Sequence, residues 1–303
     1  MDHSGDSQKI ETQSDSAHLI PQVLEQLKKR AETRDIITGV PTGYYVFDEY
    51  TAGLQPSDLI IAAGRPSMGK TAFAVNVAMR AACVYDVPTA IFSLEMSKEQ
   101  VMTRMLCSWG KVDLSKLRRA RLDEGDWARL HEAANVLSPA PIRVDDAAAL
   151  TVMEIRDRCR GLKAGRSLGL VVVDNLQLLR GARRMDSHEQ EISDISRDLK
   201  MLAKELSVPV VALFQLDHKV EKRGDKRPTL SDLPSALERD ADVIVFLHRQ
   251  AAYKKADELN PGDDVAEIII GKQRNGPAGT VKLRFFKESA SFENPADSRR
   301  TSS

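Results

Sequence analysis

Cysteine, long apolar runs and charge of one sign are what this sequence lacks. Its 303 residues hold three cysteines, Cys83, Cys107 and Cys159, each alone in an apolar helical pattern without C-x-x-C spacing. That excludes a disulfide framework or a thiolate metal site and leaves buried small hydrophobes in a reducing compartment. No apolar run approaches the roughly eighteen residues of a membrane span, and the N-terminus lacks a signal-peptide pattern. A cytoplasmic protein with no membrane partner is expected. Lys plus Arg number 44 against 44 Asp plus Glu, a formal net charge of zero. No global basic field announces nucleic acid, so any such contact must come from local loops. Residues 1–16 are polar and almost free of apolar side chains, which predicts a disordered tail.

What is present centres on Leu59. An apolar run, 59–64, enters a loop bounded by Gly64 and Gly69, and an amphipathic stretch at helical spacing opens at Lys70. Strand, loop and helix surround a G-x-x-x-x-G-K-T spacing formed by Gly64, Arg65, Pro66, Ser67, Met68, Gly69, Lys70 and Thr71. In such a loop, backbone N–H groups and the helix N-terminus hold phosphate oxygens, the lysine reaches the β- and γ-phosphates, and the threonine hydroxyl ligates Mg²⁺. Both flanking elements set the spacing apart from a chance match in a turn. ATP with Mg²⁺ is the expected ligand.

The length suits one large α/β domain with extensions. Between 17 and 31, Leu19, Ile20, Val23, Leu24 and Leu27 share one face of a helix of about four turns. Residues 17–35 therefore read as a linker helix and connector, whose stripe must be buried on its own domain or on a neighbouring subunit. The main domain is expected over 36–293, after a turn-rich segment at 36–54, and 294–303 reads as a second disordered tail. Strands are expected at 59–64, 87–94, 142–144, 168–174, 208–214, 243–247, 265–271 and 280–286. Helices are expected from Lys70, from the Ser97 cap to Met105, and over 114–137, 151–163 and 189–206. The alternation predicts a mainly parallel sheet with helices on both faces.

Three of those strands lead into polar groups: Glu95, Asp174 and Gln215. Ligands of open α/β sheets lie at the carboxyl ends of strands, so these three converge with Lys70 on one edge. Asp174 holds Mg²⁺ directly or through water, or else caps the next turn. Glu95, not needed for the metal, is the candidate to activate water, or else complements the dipole of the helix capped by Ser97. Gln215 either senses a γ-phosphate or merely ends a strand. Lys272 and Arg274 lie two apart on a hairpin-like turn, on one side if strand geometry persists. Guanidinium stabilises phosphoryl charge in the transition state, and one supplied by a neighbour couples hydrolysis to assembly. A solvated basic turn is the other reading.

Six stretches occur here in the order found in DnaB-type replicative helicases: 64–74, 91–96, 173–177, 191–197, 225–228 and 271–276. The resemblance covers about Leu19 to Phe292. It implies a RecA-like phosphate-loop fold with a linker helix that docks on a neighbour, and a hexameric ring with ATP between subunits. One subunit would contribute Lys70, Thr71, Glu95, Asp174 and Gln215, and the next Lys272 and Arg274. The implied activity is ATP-driven translocation on single-stranded DNA with duplex unwinding, among other replication proteins. The family's N-terminal collar domain has no counterpart in residues 1–16. Where the family reads Ser-Gln-Leu-x-Arg, this chain has Phe214-Gln-Leu-Asp217-His218. Its DNA loop, Asp-Leu-Arg-Glu-Ser-Gly-Ser-Ile-Glu in the family, is here the shorter Asp232-Leu-Pro234-Ser-Ala-Leu-Glu238. Losing that Arg and Gly removes a phosphate donor and a close backbone approach. Arg183, Arg184, Lys222, Arg223, Lys226 and Arg227 in two charged loops then become the expected DNA contacts. The alternative is a paralogue that hydrolyses ATP within a helicase ring but has weakened or lost unwinding.

Overall fold

Side chains alternate across a strand, so each face of a buried strand needs its own cover. The computed structural model describes residues 15–33, 36–165, 167–181, 187–254, 258, 260 and 262–296. Its elements run α1 (Ser16–Thr33), α2 (Tyr45–Thr51), β1 (Leu59–Gly64), α3 (Lys70–Tyr85), β2 (Thr89–Ser93), α4 (Lys98–Gly110), α5 (Leu114–Arg118), α6 (Glu124–Leu137), β3 (Ile142–Asp145) and α7 (Val152–Gly165). There follow β4 (Leu170–Asp174), α8 (His188–Leu206), β5 (Val210–Gln215), α9 (Ser235–Asp240), β6 (Val243–His248), β7 (Val265–Gln273), β8 (Gly279–Phe286) and β9 (Ser291–Glu293).

Nine strands form one sheet in the order β3-β2-β4-β5-β1-β6-β7-β8-β9. Pairing is parallel from β3 to β6 and antiparallel from β6 to β9. Alternation assigns Ile60, Ala62, Val172, Val211, Leu213 and Val245 to one core, with α2 and α3. Leu59, Ile61, Ala63, Val171, Val173, Ala212 and Ile244 belong to the other, with α7 and α8. Strand β8 buries Val281, Leu283 and Phe285 while Thr280, Lys282 and Arg284 face outward, the pattern of a sheet covered on one face.

Three elements differ from what periodicity suggests. Helix α2 lies where a turn-rich segment is expected: buried Asp48 accepts N–H bonds from Thr42 (3.0 Å) and Gly43 (3.0 Å) and so closes the turn before it. The pattern over 114–137 is two helices, each with its own aspartate cap, Asp113 for α5 and Asp123 for α6. Strand β9, in a stretch without a strand signal, pairs Phe292 with Phe285. Asn294, just beyond it, accepts from Tyr45 N (3.1 Å) and donates to Gly43 O (2.9 Å), and is thereby fastened to the domain. Cys107 and Cys159 are buried, whereas Cys83 is only half-buried. Helix α1 leaves Leu19, Ile20, Val23, Leu24 and Leu27 between 44% and 57% exposed, so its stripe is not buried on its own domain. Among the described residues, no helix is long and apolar enough to cross a membrane.

Candidate nucleotide site

The loop 65–69 carries strand β1 into helix α3 at the carboxyl edge of the sheet. Gly69 caps α3 with φ +94°, a left-handed conformation, and a Cβ there would lie 3.0 Å from the Phe292 ring. A Cβ on Gly64 would stand 3.0 Å from the Leu247 carbonyl. The left-handed φ calls for glycine at 69, while at 64 any Cβ would crowd the Leu247 backbone. The first turn of α3 has N–H groups without intrahelical acceptors, which face the loop. Lys70 Nζ donates to Arg65 O (3.2 Å), curling the amine over the loop. Burial lowers its pKa, opposed by the nearby Asp174 and Glu95 carboxylates. This cradle of N–H donors, a lysine and a hydroxyl matches the chemistry of a Mg²⁺-bound polyphosphate.

The acids arrive on neighbouring strands. Register sets Ser93 of β2 beside Asp174 of β4, and Leu94 N donates to Asp174 O (2.7 Å). Asp174 is buried, which raises its pKa, while a hydrogen bond from the Thr71 side chain counteracts that rise. Thr71 and Asp174 would therefore share a cation. Glu95 accepts from Asn175 Nδ2 (3.4 Å) and stays near Lys70 without ligating it. Gln215 ends β5 opposite Gly64. Its backbone is gripped at both ends by one side chain: Gln177 Nε2 donates to Gln215 O (3.2 Å), and Gln215 N donates to Gln177 Oε1 (2.6 Å). Arg65 turns away from the loop interior, its Nε on Glu221 (2.7 Å) and a terminal nitrogen on Leu216 O (2.8 Å). Lys70, Thr71, Glu95, Asp174 and Gln215 are thus brought together.

Lys272 and Arg274 are not with them. Antiparallel register puts Gln273 beside Val243, which pairs with Ile60, at the amino end of the sheet. Four residues of strand, roughly 13 Å, separate that row from Gly64. Lys272 Nζ donates to the carbonyls of Glu238 and Ala241 at the C-terminus of α9. Arg274 donates to Arg239 O (3.0 Å) and lies 3.5 Å from Asp242 Oδ1. Neither side chain reaches the phosphate loop of its own chain.

The basic loops are unevenly committed. Arg183 and Arg184 fall outside the described residues. Arg227 makes a bidentate pair with Glu267 (2.8 and 2.9 Å), Arg223 pairs with Asp232 (2.8 Å), and Lys226 sits 4.4 Å over the Tyr253 ring. Lys222 is exposed. A groove of about 1020 Å³ runs from Gln177 and Gln215 along the start of α8 to Lys219 and Pro234.

A family model described as the DnaB-like helicase C terminal domain matches residues 39–294. The chain belongs to this family. Replicative DNA helicase DnaC of Bacillus subtilis is 48% identical over 274 residues, which are 89% of this chain and 59% of that protein. Replicative DNA helicase DnaB of Geobacillus stearothermophilus is 49% identical, over 85% of this chain and 57% of its own length. The chain thus spans less than two thirds of these curated relatives. Among solved structures, one described as an ATPase domain superposes with TM-score 0.86 at 39% identity, over 93% of this chain and all (100%) of that one. A DnaB-like replicative helicase, described with its interactions with primase, gives 0.84 at 38%, over 93% of this chain and 67% of its own. A KaiC-like protein of Pyrococcus horikoshii, 17% identical with TM-score 0.57 over 85% of this chain and 98% of its own, shares the fold alone. The fold is that of the RecA-like α/β proteins.

Two positions escaped sequence reasoning. Gln177 closed the stretch 173–177 without a role; its signal is an amide just past a strand end, able to mimic the next rung of the ladder. Arg104 on α4 lies close enough to favour the charged form of Asp174, and nothing local marks it.

Proposed function

We propose that the chain is the ATP-hydrolysing motor of a ring-forming replicative helicase that moves on single-stranded DNA. One observation supports this reading: the candidate nucleotide groups Lys70, Thr71, Glu95, Asp174 and Gln215 lie at one end of the sheet, and the candidate basic pair Lys272 and Arg274 at the other. A copy therefore needs a neighbour. Lys70 neutralises β/γ oxygens, Glu95 accepts the proton of the attacking water, and Gln215 hydrogen-bonds the γ-phosphate. Arg274 and Lys272 of the adjoining copy stabilise the charge of the transition state. Mg²⁺ held by Thr71 and Asp174 would supply further neutralisation of phosphate charge. The cleft of about 450 Å³ beside Ser67, lined by Arg249, Phe285 and Phe286, has room for the nucleoside.

Six such copies would close a ring, with the exposed stripe of α1 on a neighbour and other replication proteins as partners. Single-stranded DNA would follow the groove past Lys219, with Lys222 exposed in the same segment; Arg183 and Arg184, outside the described residues, are further candidate contacts. Arg223, Lys226 and Arg227 serve DNA indirectly, by fixing the loops. With no Arg or Gly in 232–238, binding is weak, salt-sensitive and independent of sequence. Nothing in the relatives favours the non-unwinding alternative. ATPase rate with and without single-stranded DNA, together with particle mass in ATP, tests the reading. DNA-stimulated hydrolysis by a hexamer is expected; a monomer, or a rate indifferent to DNA, contradicts it.

A further inference from the structure

At the amino end of the sheet, Asp242 is a buried carboxylate in contact with β1, α8 and the turn after β7. Its Oδ2 accepts from Leu59 N (2.8 Å) at the start of β1 and from Lys200 Nζ on α8. Its Oδ1 lies 3.5 Å from Arg274 Nε. The Asp242 backbone carbonyl accepts from Arg274 N (3.0 Å), so this one residue holds both the main chain and the side chain of Arg274. Exposure is 6% for the Asp242 side chain and 48% for that of Arg274. The guanidinium is thus tethered along its Nε side, with a further bond to Arg239 O (3.0 Å), while about half its surface faces outward.

A free arginine side chain loses rotamer entropy when it engages a phosphate. A carboxylate that fixes it beforehand removes that cost from the transition state and supplies orientation, where a displacement of about 1 Å can cost about a hundredfold in rate. Asp242 is itself locked by Leu59 N and Lys200, so its anchor is the first residue of the strand that ends in the phosphate loop.

We propose that Asp242 is the positioning residue for Arg274, holding the guanidinium by its Nε side so that its outward face is presented to the phosphate site of an adjoining copy. This rests on the role in trans read for Arg274 above. Asp242→Asn keeps an acceptor for Leu59 N but removes the charge. In the full chain with Mg-ATP and single-stranded DNA, it is expected to lower kcat by about 10- to 100-fold, with KM within about twofold. On an Arg274→Ala background the same change is expected to add nothing further, since Asp242 acts through the missing side chain. Lys200→Met, which breaks the other ion pair of the same carboxylate, is expected to lower the melting temperature but spare kcat. Asp242→Glu keeps the charge but shifts it by a methylene; it serves where the amide variant does not fold, with the same loss of kcat expected.

Wild-type kcat in Asp242→Asn while Arg274→Ala falls would overturn this proposal alone. Equal losses on both backgrounds, or a loss in Lys200→Met as large as in Asp242→Asn, would also overturn it, leaving Asp242 a fold determinant. If Arg274→Ala itself keeps kcat, the reading in trans and the proposal fall together.

Discussion

The two ends of the sheet hold their cations in opposite conditions. At the carboxyl end, Lys70 is half-buried on one backbone carbonyl, with Asp174 and Glu95 near but unpaired with it. At the amino end, Lys272 and Arg274 are held by the carbonyls closing α9 and by Asp242. The first is a charge arranged to be matched from outside the chain; the second is a group fixed by its own chain and presented outward. A strand's length divides them, so within one copy these two sets of groups cannot meet. Helix α9 adds a second lesson: Pro234 at its start borders the groove, and its last carbonyls hold the basic pair.

Breaking the amino end is expected to have the largest effect. Arg274→Ala should cut kcat by about a thousandfold while nucleotide affinity holds, given the role in trans proposed for it at a neighbour's transition state. Equilibrium binding of a fluorescent ADP analogue alongside steady-state hydrolysis separates the two quantities. Breaking the carboxyl end should split in its turn. Lys70→Ala loses nucleotide affinity, whereas Glu95→Gln keeps it and loses about 100-fold or more in kcat, one acting on ground-state charge and the other on water. Equal loss of affinity in both would remove Glu95 from its role.

A smaller effect sharpens the carboxyl end. Gln177→Ala frees the Gln215 backbone and should lower kcat about tenfold. The preference for ATP over ADP in competition binding should fall with it, given the γ-phosphate contact proposed for Gln215. The smallest effect is one of stability at the amino end. Burial, aided by the Asp242 charge, raises the Asp58 carboxyl to about 6. Its folded pKa exceeds the unfolded value, so the ionised group costs stability above pH 6, and this cost fades as pH falls towards 4. Asp58→Asn should raise the melting temperature at pH 7.5 by a few degrees and leave it unchanged near pH 4.

The phosphate loop was legible because its information is local: eight consecutive residues between a strand and a helix. The convergence of Glu95, Asp174 and Gln215 was legible because parallel strands share an edge. Helices α2 and α9 were not, being too short to show a period. Charge in the loops misled for a different reason. Arg227 is spent on Glu267, 40 residues away, and no local pattern reveals it. Gln177 reaches Gln215 over 38 residues and Lys200 reaches Asp242 over 42, so both remained hidden until the sheet brought them together. Arg274 was visible as a candidate, and the resemblance assigned it to the next subunit; the register of β7 on β6 gives the physical reason, the distance from its own phosphate loop.

Complementation between two dead variants tests the shared site most directly. Lys70→Ala chains lack a working carboxyl end but keep Arg274, and Arg274→Ala chains are the reverse. Co-expressed with different tags and purified through both, they should form mixed rings in which about a quarter of the interfaces pair an intact Lys70 with a neighbour's intact Arg274. Hydrolysis well above that of either variant alone is expected. Mixed rings as inactive as the separate variants would contradict a site shared between copies.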